Sequence, residues 1–278
     1  MNVNAGATVK ALQASLPLEP LENRILLQHA LGMSRVALIT QSERALTQQE
    51  AARLAALVQR RLDGEPIAYI IGHREFFGLD FKVDGSVLIP RPDTELIVEL
   101  AIERLAPRGR LLDMGTGSGA IAVAAAHTRP DAQVTALDLS AAALEVARAN
   151  AAANGAAVRF LQSDWFGALG DERFEVIASN PPYIAAGDEH LSQGDLRFEP
   201  VGALTDHADG LSALRIIIAG ARPHLVAGGW LLLEHGYDQA AQVRELLAAQ
   251  GYSEVQSWRD LAGIERVSGA SIGPANIV

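Results

Sequence analysis

The sequence predicts an α/β fold: a doubly wound sheet with an antiparallel last strand, plus a small N-terminal helical domain. Three observations carry that prediction. From about residue 109 onward, strand-like runs alternate with helical runs, the pattern of parallel strands joined by crossover helices. Before about residue 75, apolar residues recur only at helical spacing. The last two strand-like runs, YSEVQSW and IERVSGAS, have no helix between them and are expected to pair antiparallel.

In chain order, LENRILLQHALG and TQQEAARLAALVQRRLDG are the N-terminal helices. Thr47 with Glu50 fits a capping box, and Gly64 stands where the second helix should stop. EFFGLDFKVD and SVLIP read as short strands around Gly78 and Gly85, and Pro90 and Pro92 end the extended run. Asp93, Thr94 and Glu95 form an acidic start for the helix ELIVELAIERLA. Strands are then expected at RLLDMG, QVTALD, VRFLQS, FEVIASN and WLLLEHG. The helices between and after them are AIAVAAAH, AAALEVARANAAANG, LSALRIIIAGARPHL and DQAAQVRELLAAQG.

At 278 residues the chain has room for one large domain and a smaller one. Hydrophobic residues make up 49%, yet no run approaches the ~20 apolar residues that span a bilayer. The opening MNVNAGATVKALQASLPLEP lacks the apolar core of a signal peptide, so a cytoplasmic protein without membrane partners is expected. The absence of cysteine excludes disulfides, thiolate metal sites and cysteine nucleophiles. A net charge of −10, with Lys10 and Lys82 the only lysines, argues against a phosphate-tracking surface and hence against direct nucleic-acid binding.

Residues 113–119, DMGTGSG, close the first strand of the sheet and open a helix. Glycines there permit a tight turn and let a ligand approach the backbone. Asp138 ends the next strand, where a carboxylate can accept both hydroxyls of a ribose. The run Gly115-Thr116-Gly117-Ser118-Gly119-Ala120 also satisfies the dinucleotide pattern G-x-G-x-x-A, so the loop alone leaves nicotinamide and flavin cofactors open. Asp113 tilts the balance, because a carboxylate repels a pyrophosphate but can orient a cationic ligand. S-adenosylmethionine, with its sulfonium and amino group, fits better. Trp165, after the third strand, is placed to lie against an adenine, and Asp164 to accept from a ligand amine; a core tryptophan beside a solvated acid is the plainer alternative.

Asn180-Pro181-Pro182-Tyr183 follows the fourth strand at the same edge. A planar amide nitrogen is a poor nucleophile because its lone pair is delocalised. The Asn180 side-chain oxygen and the Pro181 carbonyl can accept its two N–H groups and turn its lone pair toward a methyl donor. The two prolines stiffen this arrangement, and Tyr183 can cover the substrate plane.

Together, residues 113–119 and 180–183 resemble those of the amino-methyltransferases. The segments DGEPIAYIIGHREFFGLDFKV, LIPRPDTE, LQSDWF, SNPPYIAAGDEHLSQGDLRFEP and LLLEHG resemble the release-factor glutamine methyltransferases, the PrmC/HemK family, from about residue 21 to 267. The resemblance implies a Rossmann-like class I methyltransferase that transfers a methyl group from S-adenosylmethionine to the amide nitrogen of the glutamine in the Gly-Gly-Gln motif of peptide chain release factors. It implies cofactor contacts from Gly115, Thr116, Gly117, Ser118, Gly119, Asp138, Trp165 and Asn180. Substrate contacts are expected from Asn180, Pro181, Pro182 and Tyr183, with Asn180, Pro181 and Tyr183 catalytic. Arg91, Pro92, Thr94 and Glu95 are expected to close over the cofactor, with Glu199 and Pro200 at the same mouth.

The expected domains are a helical, substrate-binding one at 1–75, a β-hairpin linker at 76–90 and the methyltransferase domain at 91–278. The tail SGASIGPANIV departs from the family by lacking basic or aromatic closing residues. His73, His127, His190, His207 and His235 show no metal-ligand spacing, so no metal is expected. A monomer is expected. The alternative activity is amino-methylation of adenine or cytosine in nucleic acid, against which the acidic charge stands.

Overall fold

The computed structural model describes residues 3–273. By internal contacts the chain divides into two compact units, the first ending at Gly72 and the second beginning at His73. Among the described residues the first holds five helices: α1 (Val9–Ser15), α2 (Pro20–Leu31), α3 (Arg35–Thr40), α4 (Gln48–Leu62) and α5 (Ile67–Ile71). The helical runs of the sequence lie on α2 and α4. Thr47 caps α4 as its spacing implies: its hydroxyl accepts the Glu50 N–H, and the Glu50 carboxylate accepts the Thr47 N–H at 2.9 Å. Val9, Leu26, Leu27, Leu54 and Val58 are fully buried in this unit's core.

The second unit opens with an antiparallel hairpin, β1 (His73–Phe76) and β2 (Leu79–Lys82), turning at Gly78 with φ +74°. Phe76 and Phe81 meet edge to face with centroids 5.8 Å apart, inside the core of this unit. SVLIP, expected as a strand, is not one. After a turn in which the Val87 N–H donates to the Asp84 carbonyl, the Ile89 N–H donates to the buried Glu199 carboxylate at 3.0 Å. A side chain takes the place of a neighbouring strand, so the segment is extended but forms no ladder.

The rest is α6 (Glu95–Arg104), β3 (Arg110–Met114), α7 (Ala120–Thr128), β4 (Gln133–Asp138), α8 (Ala141–Ala153), β5 (Val158–Gln162), β6 (Phe174–Ser179), α9 (Val201–Leu204), α10 (Ser212–Ala221), β7 (Leu225–Glu234), α11 (Ala240–Ala249), β8 (Ser253–Arg259) and β9 (Glu265–Ser271). The sheet order is β5-β4-β3-β6-β7-β9-β8; the first five strands are parallel, and β9 runs antiparallel to both β7 and β8. β9 can insert this way because only a short turn separates it from β8. In that turn Asp260 accepts the Ala262 and Ile264 N–H groups, each at 2.9 Å.

The tail that departs from the family still completes this strand. Gly269 lies so close to β7 that a Cβ would sit 2.6 Å from the Leu231 carbonyl oxygen, and a bulkier residue has no room. The tail beyond residue 273 lies outside the described residues.

The central strands are apolar on both faces, as a parallel sheet covered on both sides requires. Leu111, Val176, Ala178 and Leu232 pack on the side of α6 and α7. Leu112, Met114, Ile177 and Leu233 pack with α10 and α11. Asn150 on α8, also buried, ties the hairpin to the glycine loop: it accepts the Lys82 N–H at 2.7 Å and donates to the Lys82 and Ser118 carbonyls.

Gly119 opens α7 at φ +85°, and a Cβ there would lie 3.1 Å from Val123 and 3.2 Å from Ala147. Its glycine therefore serves the packing of α7 against α8. Gly119→Ala should destabilise the unit by about 1–3 kcal/mol, combining left-handed strain with crowding. Urea unfolding checks this, and an unchanged midpoint would show that the two helices separate freely.

Candidate active site

Parallel pairing brings the carboxyl ends of β3, β4 and β6 side by side, and the loops leaving them wall a cavity of about 510 Å³. The first wall is the loop after β3. The Gly115 and Thr116 N–H groups both donate to the Leu137 carbonyl at 2.9 Å, and the Gly117 N–H donates to Asp138 Oδ2 at 2.9 Å. Gly115 and Gly117 hold φ of +71° and +54°, and a Cβ on either would meet nothing within 4 Å. Both glycines are demanded by backbone conformation, and the space they leave belongs to the cavity.

Asp113 holds this loop from below instead of facing the cavity. It is fully buried; Oδ2 accepts from the Thr116 hydroxyl at 2.6 Å and from the Ala122 N–H at 3.1 Å, while Oδ1 has no partner. Burial pushes its pKa up to about 7, against the two hydrogen bonds; the nearby Asp138 charge pushes the same way.

Asp138 and Leu139 form the second wall, at the end of β4. Asp138 Oδ1 accepts the Ser140 N–H at 2.8 Å, so both carboxylate oxygens are oriented while lone pairs remain for a ligand. Asp164 and Trp165 line the third wall. Trp165 holds φ +47°, unusual for a residue with a side chain. Ser163 sustains it, donating to the Trp165 carbonyl at 2.7 Å and accepting the Ala168 N–H at 3.0 Å.

Asn180, Pro181 and Pro182 line the fourth wall. Ser179 anchors this turn by donating to the Met114 carbonyl at 2.7 Å, and Asn180 Nδ2 donates to the Thr94 hydroxyl at 3.2 Å. Thr94, Pro90 and Arg91 reach the cavity from the segment before α6, and Pro200 from the segment before α9. Arg91 is ion-paired with Glu199, which is buried. Burial holds the Glu199 carboxyl above the usual range, opposed by the Arg91 charge and the Ile89 N–H.

Of the site residues expected from sequence, Gly115, Thr116, Gly117, Ser118, Asp138, Trp165, Asn180, Pro181 and Pro182 all line the cavity. Gly119 does not; it packs against α8. Tyr183 does not either. It is half-buried against the core, its carbonyl held by Gln239 Nε2 at 3.0 Å and its phenol near Glu234, and burial raises its phenol pKa. Pro92 begins the short helical turn before α6, and Glu95 accepts the Phe77 N–H at 2.9 Å.

Sequence reasoning missed Leu139, which follows Asp138 and is 67% exposed. It also missed Glu234. This acid ends the apolar run LLLE just as Asp113 follows LL, and it is equally buried. Burial pushes Glu234 up to about 7, opposed by the nearby Thr94 hydroxyl and Asn180 amide. Among the described residues no three potential ligands cluster as a metal site, and no helix is long and apolar enough to cross a membrane.

Residues 92–195 match the family described as methyltransferase small domain, and residues 7–72 match the PrmC N-terminal domain. The fold is shared with a methyltransferase from Pyrococcus furiosus, with a TM-score of 0.55 at 24% identity over 77% of this chain and 97% of that one. The family match makes the chain a methyltransferase, and the shared fold is of the doubly wound class. The chain is 55% identical to the release factor glutamine methyltransferase of Burkholderia pseudomallei, over 96% of both chains. It is 52% identical to that of Neisseria gonorrhoeae, over 90% of this chain and 93% of the relative. It belongs to the release factor glutamine methyltransferase family.

The raised Asp113 pKa has a thermodynamic consequence. A carboxyl that keeps its proton longer when folded contributes stability below its unfolded pKa of about 4, and that contribution is lost as pH rises to about 7. Asp113→Asn should flatten the fall in unfolding free energy between about pH 4 and pH 8 by roughly 2–4 kcal/mol. Urea titrations at several pH values test this, and parallel curves for both proteins would refute it.

Proposed function

We propose that this chain methylates the side-chain amide nitrogen of the glutamine in the Gly-Gly-Gln motif of peptide chain release factors, with S-adenosylmethionine as the methyl donor. The observation that carries this reading is the shared cavity, where the glycine loop and residues 180–182 face one space.

The cavity suits a cationic nucleoside better than a dinucleotide. Asp138 and Asp164 line it, while Arg91, the one lining cation among the described residues, is engaged by Glu199. A pyrophosphate would meet two carboxylates and no free cation. Asp138 would accept the ribose hydroxyls, Leu139 and Trp165 would lie against the adenine, and the open backbone at Gly115 and Gly117 would receive the methionine portion. Asn180, at the junction of the walls, would touch cofactor as well as substrate. When bound, S-adenosylmethionine supplies an electrophilic methyl group on its sulfonium.

The chain's own residues make the amide nitrogen a nucleophile. Asn180 Oδ1 and the Pro181 carbonyl accept its two N–H groups, weakening conjugation and turning the lone pair outward. The bond from Asn180 Nδ2 to Thr94 leaves Oδ1 as the free end of that side chain. Nitrogen would bond the methyl carbon as that carbon's bond to sulfur breaks, the electron pair staying on sulfur as a neutral thioether, and would release one proton to water, leaving a secondary amide.

The helical unit up to Gly72 contributes to gripping the release factor. Val36 and Ile39, on α3, are 68% and 66% exposed and offer it apolar contacts. Such a substrate places the enzyme in the cytoplasm, acting as a monomer on protein rather than on nucleic acid.

Asp138→Ala should weaken S-adenosylmethionine binding by about 1.5–3 kcal/mol, roughly ten- to a hundredfold in affinity. Calorimetry on the folded variant checks it, and unchanged affinity would remove Asp138 from the ribose site. Asn180→Ala should lower kcat by about 10²–10³ at saturating cofactor, while release-factor affinity changes little. Transfer of labelled methyl to a purified release factor reads this out. Equal labelling of a control factor whose Gly-Gly-Gln glutamine is replaced would overturn the substrate assignment.

A further inference from the structure

The bond from Asn180 to Thr94 leads deeper into the protein. Ser179 pairs with Leu233 across the β6–β7 ladder, so Asn180 and Glu234 are the next residues along adjacent parallel strands. Leu233 packs on the α10 side, and the following residue, Glu234, therefore projects toward α6, where Thr94 precedes the first turn. Glu234 is 2% exposed and Thr94 4%, and Thr94 and Asn180 are the polar side chains that oppose the effect of burial on the carboxyl. Oε2 of Glu234 has no partner.

Resting on the reading given under Proposed function, we propose that Glu234, acting through Thr94, is a positioning residue that sets which way the Asn180 amide faces. The argument is one of donor direction. An ionised carboxylate only accepts, so the Thr94 hydroxyl beside it turns its single proton toward Glu234. The Thr94 oxygen is then left to accept, and only the NH₂ end of Asn180 can satisfy it, as observed at 3.2 Å. Asn180 Oδ1 is thereby committed to the other side, toward the substrate amide.

Protonating Glu234 reverses the chain. The acid can now donate to the Thr94 oxygen, the Thr94 hydroxyl proton is released toward Asn180, and Oδ1 is drawn inward as its acceptor. The substrate would then face NH₂ groups instead of an oxygen, and the amide N–H would lose its acceptor.

The charged groups around Glu234 are Asp93 before α6 and Arg266 on β9, and the neutral Tyr183 phenol after β6 also lies near it. Arg266 favours the ionised form and Asp93 opposes it. Arg266 is itself shared, with Nε 3.5 Å from Asp93 and 3.1 Å from Asp260. Burial outweighs these and places the change at about 7.

Two measurements test the relay. In the full-length protein without substrate, the Asn180 side-chain NH₂ resonances, assigned by their loss in Asn180→Ala, should shift with pH around a midpoint of about 7 and stop doing so in Glu234→Gln. Resonances that are flat between about pH 5.5 and 8.5, or that titrate alike in both proteins, overturn the proposal.

In turnover with a release factor, wild-type kcat should fall about tenfold per pH unit below about 7, and Glu234→Gln should lose that limb. Thr94→Val and Glu234→Gln should each lower kcat by about 10- to 100-fold, leaving cofactor affinity and the KM for the release factor within about threefold; Thr94→Ser, which keeps the hydroxyl, should recover most of the rate. An unaltered acid limb in Glu234→Gln, or a loss confined to KM, overturns it. Should the wild type methylate no release factor while the resonances still titrate through Glu234, the substrate assignment fails and the relay stands.

Discussion

The carboxyl ends of β3, β6 and β7 lie in one row because the three strands are parallel neighbours, and each end carries a polar residue the site needs: Asp113, Asn180 just past Ser179, and Glu234. Two of these are carboxyls sunk in apolar surroundings without a paired cation. Such groups are costly unless hydrogen bonds hold them, and the bonds they collect are the ones that shape the cavity. Asp113 draws the Thr116 hydroxyl and the Ala122 N–H inward and so holds the glycine loop. Glu234 lies buried beside Thr94 and Asn180, which bond each other. The cofactor loop and the NPPY turn are oriented from beneath by the same device.

The ring of bonds above that row has a similar economy. Asp138 holds the Gly117 and Ser140 N–H groups and still presents its carboxylate to the cavity. Glu199 holds Ile89 and Arg91, fixing the extended segment 86–91 across the mouth without the help of a strand. The segment can remain free of the sheet because its backbone is satisfied by a side chain. It thereby brings Pro90, Arg91 and Thr94 to the cavity, which a residue paired within a ladder could not do as readily.

Preorganisation of this kind suits a reaction whose nucleophile is weak. Acceptors that are already aimed need not reorganise when the amide nitrogen begins to bond, and their effect is felt most in the transition state. The cost is borne by stability: two buried carboxyls with pKa values near 7 weaken the fold as pH rises through the range where the site is most fully ionised.

Much of this was legible in the sequence, for local reasons. Strand and helix alternation, the capping box at Thr47 and the glycines at 115 and 117 express backbone preferences that act over a few residues, and the structure places the corresponding elements there. The NPPY turn and Asp138 were legible because strand ends in a parallel sheet must gather at one edge. Tertiary structure decided the rest. SVLIP has the composition of a strand, but a distant glutamate takes its backbone donor. Gly119 belongs to the glycine motif, yet it serves the approach of α7 to α8, and Tyr183 turns to the core instead of the cavity. Asp113 and Glu234 look like ordinary acids after apolar runs. Only the strand order β3-β6-β7 and the alternation of side chains across the sheet determine that both are buried, and that one of them meets Thr94 and Asn180. Local pattern specifies which elements form, whereas the partner of a buried polar group depends on which strands become neighbours.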